Sequence, residues 1–261
     1  MILVTGSTGF VGTSLCNALK KGGHAVREVT RDKSQANGKN IVFIKSIDSQ
    51  TDWLEALKGV DTVIHLAARV HVMNETSNNP LEDYREVNTF GSFRLAEAAI
   101  KAGVKKFIYI STIKVNGELT VEPFTENSIP NPTDPYGLSK FEAENMLGSL
   151  CKESSMDLII LRPSLIYGPK VKGNLERIMS VISRRVPLPL GCVNNKRTLL
   201  YLENLIDLIM FIIKKTEKIN DTFLVADQES ISTKSLVESF ASVLNPKQIL
   251  LSVPVFLLKI F

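Results

Sequence analysis

The sequence predicts an α/β protein: a Rossmann-type doubly wound parallel sheet with a small mixed C-terminal substrate subdomain. Three observations carry this prediction. Short β-branched runs alternate with helical patterns over the first two-thirds of the 261 residues. Most of those runs are almost continuously apolar, as parallel strands covered on both faces must be. The first run leads directly into a glycine-rich turn and then a helix.

Taken in order, strands are expected at residues 2–4, 25–29, 41–44, 62–66, 107–110 and 158–161. Helices are expected between them at residues 11–21, 52–57, 80–102 and 136–151. Residues 115–135, rich in Pro, Asn and Thr, read as a long loop, and loops of that length tend to carry function. After Arg162 the rhythm breaks, with Pro163, Gly168, Pro169, Gly173, Pro187, Pro189 and Gly191 as punctuation. Two more helices near 203–215 and 233–244 and a strand near 223–225 complete the smaller subdomain. The expected division is residues 1–165 for a dinucleotide and 166–261 for a substrate, with the chain weaving between the two. A last helix is expected from Pro254. It ends on apolar Phe261 in mid-pattern, which predicts that the natural chain continues.

Composition narrows the function classes. Lys and Arg total 31 against 27 Asp and Glu, and the charges are interspersed, so neither nucleic acid nor an anionic membrane is called for. The apolar run at residues 205–213 is short and contains Asp207, so it reads as a buried helix face and not a membrane span. No charged segment and apolar stretch precede the first strand, so no secretory leader is expected and the location is cytoplasmic. Cys16, Cys151 and Cys192 are far apart and lack metal or disulfide spacing. His24, His65 and His71 are equally isolated, so no metal site is expected.

The first turn is built for a diphosphate. It reads Thr5-Gly6-Ser7-Thr8-Gly9-Phe10-Val11-Gly12. Gly6 permits a tight turn, Gly9 lets backbone N–H groups approach a pyrophosphate, and Gly12 lets the helix pack on the strand. The helix N-terminus then presents its positive end to the anion. The end of the second strand selects the dinucleotide: an acid binds the adenosine ribose, and an Arg accommodates a 2′-phosphate. Here the strand ends Val29-Thr30-Arg31-Asp32. Arg31 tilts the reading from NAD toward NADP, while Glu28 and Asp32 stay open as ribose partners.

Tyr136 and Lys140 stand four apart on a predicted helix and so share a face. A phenol ionises near pH 10 unless a cation such as the Lys140 ammonium lowers it, which makes the pair a candidate general base. The fifth strand runs into Ser111-Thr112. Ligands of open α/β sheets bind beyond the carboxyl ends of strands, so both hydroxyls are expected near the site. The fourth strand ends His65-Leu66-Ala67-Ala68, where small residues leave room for a dinucleotide; His65 reads as structural.

With the segments Val87-Asn88-Thr89-Phe90-Gly91 and Leu161-Arg162-Pro163-Ser164-Leu165-Ile166-Tyr167-Gly168-Pro169 added, the chain resembles the extended short-chain dehydrogenase/reductase family. Within it the resemblance is to NAD(P)-dependent nucleotide-sugar epimerases and ketoreductases. It implies that Thr112 bonds the sugar oxygen undergoing oxidation, that Tyr136 is the base and that Lys140 binds the nicotinamide ribose. It implies further that Thr8, Phe10 and Val11 join the three glycines around the cofactor. Leu66, Ala67, Ala68, Ser111 and Pro163 line it, and Asp48 meets the adenine. Asn88 matches a structural asparagine, and Asn174 and Arg197 fall where the substrate diphosphate is held. Sugar-nucleotide 4,6-dehydratases carry Asp-Glu after the Thr; Ile113-Lys114 stands here, which argues against elimination of water.

The expected activity is hydride transfer at C4 of a UDP-hexose, as in UDP-glucose 4-epimerase-like enzymes. The first alternative is an NADPH-dependent 4-keto-sugar-nucleotide reductase in surface-polysaccharide synthesis, which Arg31 favours. The second is a non-catalytic dinucleotide sensor, against which the Thr112, Tyr136 and Lys140 set argues. The helices at 80–102 and 136–151 are expected to form a homodimer interface.

Overall fold

The computed structural model describes residues 1–36, 38, 40–70 and 79–259. His71 lies outside the described residues. The chain forms two compact units, Met1–Pro163 with Ile206–Val225, and Ser164–Leu205 with Ala226–Phe261.

The first unit is a parallel sheet of seven strands. In chain order these are β1 (Ile2–Thr5), β2 (Val26–Thr30), β3 (Ile41–Phe43), β4 (Thr62–His65), β5 (Lys106–Ile110), β6 (Asp157–Pro163) and, after β7 (Leu165–Tyr167) and β8 (Arg197–Tyr201) of the second unit, β9 (Asp221–Val225). Their order across the sheet is β3-β2-β1-β4-β5-β6-β9. The order reverses beside β1, which creates a crevice at the carboxyl edge. The register aligns the functional ends: Thr5 lies opposite His65, His65 opposite Tyr109, and Ile110 opposite Leu161. Leu3, Val63, Phe107 and Tyr109 are fully buried in the core, as strands covered on both faces require.

Each helix follows from its local sequence. Helix α1 (Phe10–Lys21) buries Leu15, Cys16 and Leu19 along one stripe and ends on Lys20 and Lys21, which complement its negative end. The short α2 (Leu54–Leu57) buries Ala56 and Leu57. The expected single helix at 80–102 has three parts: α3 (Pro80–Tyr84), a π-helical turn (Arg85–Phe90) and α4 (Gly91–Lys101). The widened turn holds Asn88, whose side chain bonds the backbone of Arg69 on one side and Ser139 Oγ on the other. Helix α5 (Pro135–Lys152) starts where Asp134 accepts a 2.6 Å bond from Gly137 N, with Pro135 at the first position.

Two expectations about the later chain need correction. The strand near 223–225 does not belong to a C-terminal sheet; β9 pairs with β6 in the main sheet, Pro163 opposite Val225. Most of α7 (Leu202–Lys214) also lies with the first unit. There Lys106 Nζ, buried on β5, caps the helix by donating to Ile212 O at 2.9 Å and Lys215 O at 2.7 Å. Apolar periodicity identified both elements but carries no information about which surface receives them.

The second unit contains elements the sequence reading passed over: β7 (Leu165–Tyr167), α6 (Asn174–Ser183), β8 (Arg197–Tyr201) and β10 (Ser230–Ile231). They are short and separated by Pro and Gly, and the three strands carry little periodicity, whereas α6 has a clear apolar stripe that buries Leu175 and Ile182. They form a three-stranded sheet, β10-β8-β7, antiparallel on one side and parallel on the other. Helix α8 (Thr233–Leu244) is capped by Ser232 and packs Val237 and Ala241 against Ile182 of α6. The helix expected from Pro254 is not formed; among the described residues there is one tight turn, Leu257–Lys259.

Candidate active site

The turn after β1 is closed by backbone contacts that exclude side chains. Gly6 adopts φ +66°, and Gly9 N donates to Gly6 O at 3.0 Å. A Cβ on Gly12 would lie 2.1 Å from Gly6 O, and one on Gly6 would lie 2.8 Å from Ala67 N. Helix α1 and the end of β4 therefore both press on this turn. The N-cap of α1 is Gly9, with no capping side chain, and its first turn carries no acid. Its positive end is left to a ligand. Thr8, Phe10 and Val11 surround that end, and Thr8 and Gly9 are exposed. These residues fit a dinucleotide diphosphate.

Beside the turn, Thr8, Thr30, Arg31, Asp32, Gln35 and Lys45 line a cavity of about 400 Å³. The two acids left open by the sequence are engaged elsewhere. Glu28 pairs with Lys20 at 2.5 Å. Asp32 accepts from Ser34 and Gln35, and these bonds, Ser34 first, hold its carboxyl below the usual range. In the cavity lining Arg31 and Lys45 stand against the single carboxylate of Asp32. Sequence reasoning missed Lys45, because nothing in the chain order shows β3 delivering it beside Arg31. Asp48 caps its own turn, accepting from Gln50 N at 2.9 Å and Thr51 Oγ1 at 3.0 Å.

The end of β4 is fixed from below. His65 is wholly buried, and burial pushes its imidazole down to about 3, so it is neutral. Ser92 Oγ donates to Asn88 O at 2.6 Å and therefore accepts from His65 Nε2–H at 2.9 Å. His65 Nδ1 is left to accept from the Thr5 hydroxyl at 2.6 Å. The expected structural role for His65 has this form: it joins β1, β4 and α4 directly beneath Leu66, Ala67 and Ala68.

Beyond β5, Ser111 N bonds Leu161 O at 2.7 Å, while its buried hydroxyl makes no hydrogen bond. An orphaned hydroxyl at the carboxyl edge fits a ligand that supplies the missing partner. Thr112 opens a tight turn (Ile113–Val115), its Oγ1 accepting from Lys114 N at 3.3 Å. Tyr136 sits in the first turn of α5, its ring 6.1 Å from that of Tyr84. Lys140, 1% exposed, places its Nζ 4.0 Å from the centre of the Tyr109 ring. One turn further, Glu144 receives buried Arg162 at 2.6 Å, and Arg162 reaches Asn116 at 3.0 Å. Pro163 ends β6 at the same edge. Asn174 opens α6 and Arg197 opens β8, both in the second unit. Among the described residues no group of His, Cys, Asp and Glu has the arrangement to hold a metal, and no helix is long and apolar enough to cross a membrane.

The electrostatics differ from the sequence expectation in one respect. Lys140 was expected to lower the Tyr136 phenol. Burial instead pushes it upward, and the Asp134 carboxylate and Tyr84 add to the rise. Burial also pulls Lys140 down to about 7, Glu144 only partly opposing it. In dry surroundings the loss of hydration outweighs attraction between side chains that do not touch.

The depressed Lys140 has a measurable consequence. Between about pH 7 and the ordinary lysine value of 10.5 the unfolded chain holds a proton that the folded chain lacks. Stability contributed at this site therefore rises with pH through that window. Thermal unfolding of Lys140→Met against the wild type, in the absence of ligand, should show the variant more stable at pH 7 and its advantage shrinking toward pH 10. A constant difference would contradict the buried, weakly basic lysine.

Comparison with known proteins agrees with this geometry. A protein of Vibrio cholerae described as UDP-glucose 4-epimerase is 43% identical over 264 residues, which cover 100% of this chain and 80% of the relative. An N-acetyl-α-D-glucosaminyl-diphospho-ditrans,octacis-undecaprenol 4-epimerase of Escherichia coli O157:H7 is 28% identical over 252 residues, 94% of this chain and 73% of its own. Among solved structures, the UDP-glucose 4-epimerase of Thermotoga maritima with UDP-glucose superposes with a TM-score of 0.80 at 25% identity, covering 97% of this chain and 85% of that one. The family model described as "NAD dependent epimerase/dehydratase family" matches residues 2–226, the span that contains the glycine turn, Thr112, Tyr136 and Lys140. By that match and by the fold, the chain belongs to the NAD dependent epimerase/dehydratase family.

Proposed function

We propose that this chain is a nucleotide-sugar 4-epimerase acting on a UDP-hexose. The observation that supports the reading is that the turn after β5, which Thr112 opens, meets the first turn of α5, which carries Tyr136 and leads to Lys140, where Lys114 O lies 3.0 Å from where a Cβ on Gly137 would sit. The 43% identical relative supports the sugar and the position. Gly6, Gly9 and Gly12 hold the diphosphate of a nicotinamide dinucleotide, with Thr8, Phe10 and Val11 around it. Arg31 and Asp48 face its adenosine half. Leu66, Ala67, Ala68, Ser111 and Pro163 line the rest. When bound, the dinucleotide supplies reversible hydride transfer at C4 and a positive charge in its oxidised form.

The protein's own residues handle the proton. Tyr136 Oη takes the C4 hydroxyl proton during oxidation and returns it during reduction. The Thr112 hydroxyl donates to the same sugar oxygen and steadies it. Lys140 binds the nicotinamide ribose. Residues 1–165 serve the dinucleotide in this reading. Residues 166–261 serve the substrate, whose diphosphate is assigned to Asn174 and Arg197. The reaction draws on soluble nucleotide sugars, so we infer a cytoplasmic location.

One observation favours the second reading, an NADPH-dependent 4-keto-sugar-nucleotide reductase. Two cations, Arg31 and Lys45, line the cavity beside the end of β2, where a 2′-phosphate is held in this fold. We further infer a homodimer through α4 and α5. Phe93, Met146 and Leu150 give an apolar lining to a surface groove of about 490 Å³ there, and a two-fold axis would cover both copies at once.

Interconversion of UDP-glucose and UDP-galactose tests the main reading. Tyr136→Phe should cut turnover on the order of 10²-fold or more while the dinucleotide still binds; wild-type turnover in that variant would remove the base and the mechanism together. Titration with NADH and NADPH decides between the readings. Tighter NADPH binding, lost in Arg31→Ala and weakened in Lys45→Ala, supports the reductase, and equal curves for the wild type exclude a 2′-phosphate preference. Light scattering at micromolar concentration should give twice the chain mass, and a monomer mass would end the dimer reading.

A further inference from the structure

The turn that carries Thr112 and the helix that carries Tyr136 meet at one residue that the assigned chemistry does not use. Lys114 N donates to Thr112 Oγ1 at 3.3 Å, and its carbonyl oxygen lies 3.0 Å from where a Cβ on Gly137 would sit. Its side chain reaches across to the helix. Lys114 Nζ bonds Asp134 Oδ2 closely and Glu118 Oε1 at 2.8 Å. Asp134 is thereby divided between two tasks: Oδ1 caps α5 through Gly137 N, and Oδ2 holds the ammonium.

An exposed ion pair contributes little to stability, because water screens it and two side chains lose freedom. This pair is different in place. Asp134 is two residues before Tyr136 and its charge opposes ionisation of that phenol. The other charged groups around Tyr136 are committed. Arg85, on the π-helical turn packed against α5, is held by Glu142 at 2.6 Å and Glu82 at 2.7 Å. Tyr84 carries Arg69 over its ring at 5.4 Å, and Arg69 also meets Asp83 at 3.4 Å. Lys140 faces Tyr109 and has Glu144 beyond it. Burial pulls the Lys114 ammonium down, but its bonds to Asp134 and Glu118 more than restore it, so it stays charged.

We propose that Lys114 is a positioning residue of the proton-transfer site: clamped between Asp134 and Glu118, it locks the first turn of α5 to the turn after β5 and offsets part of the carboxylate charge beside Tyr136. Two hydroxyls on separate elements, Thr112 and Tyr136, are then held in one register toward one substrate oxygen. The inference rests on the reading of Tyr136 as the proton acceptor.

The test reads the phenolate directly. The near-ultraviolet phenolate band of the NAD-loaded protein is titrated with pH, and the same titration of its Tyr136→Phe counterpart is subtracted. Lys114→Met should move the Tyr136 midpoint upward on the order of one pH unit, because it leaves Asp134 uncompensated. Lys114→Arg should restore the wild-type midpoint. Asp134→Asn keeps a good helix cap but removes the charge, so it should move the midpoint downward. Coincident titrations for Lys114→Met and the wild type would overturn the proposal. If Lys114→Met does not fold, Lys114→Gln takes its place, and a midpoint coincident with the wild type is the overturning result. Tyr136→Phe with undiminished sugar turnover refutes the assignment of the base, whereas an inactive Tyr136→Phe with no midpoint change in Lys114→Met refutes only the role of Lys114.

Discussion

One run of hydrogen bonds through a neutral, buried histidine holds the site-bearing elements together. Thr5 of β1, His65 of β4, Ser92 of α4 and Asn88 of the π-helical turn bond in sequence. From Asn88 the run passes to Ser139 of α5 and to the backbone of Arg69. Tyr109 of β5 adds a 3.4 Å bond to Asn88 O. The glycine turn follows Thr5, the small residues Leu66 to Ala68 follow His65, and Tyr136 and Lys140 flank Ser139. Breaking one link strands a buried donor or acceptor, at roughly 1–3 kcal/mol each. Such a network rigidifies when every member is satisfied, which explains how six elements keep a common edge.

The run works only because His65 stays uncharged, and the surrounding packing enforces that. A charged imidazole stacked on Tyr109 at 5.7 Å with Lys140 nearby would be unpaired in an apolar core. The same dryness acts on Lys140 and Tyr136, pressing the first toward its neutral form and the second away from ionisation. The protein thus stores a weakly basic lysine and a reluctant phenol side by side. A positive charge placed beside that phenol favours its ionisation more strongly there than it would in water. The ion pair of Arg162 with Glu144, also buried, offsets its own desolvation and adds little net stability; its value is in fixing α5 against β6.

Close backbone packing complements the polar run. Gly12 and Gly6 are places where helix, turn and β4 meet at distances no side chain permits. Because those contacts involve backbone on both sides, they cannot be relieved by rotating a side chain. The glycine turn is therefore rigid by exclusion, while the neighbouring cavity lined by Arg31 and Lys45 is open and set by charge.

The sequence by itself determined the alternation of strands and helices, the glycine turn, the Tyr136–Lys140 face and the hydroxyls after β5, since each is written within a few consecutive residues. Asp134-Pro135 is a helix-start signal of the same local kind. Only the tertiary structure decided the rest. Residues 206–225 return to the first unit, because an apolar face does not name the surface that buries it. The short β7 and β8 were illegible because their order comes from mutual packing and not from periodicity. Lys45 joins Arg31, and Lys114 joins Asp134, across contacts between separate elements. The direction of the Tyr136 shift was misjudged for the same reason. Spacing tells which residues share a face, but the hydration each side chain loses is set by everything that folds over it.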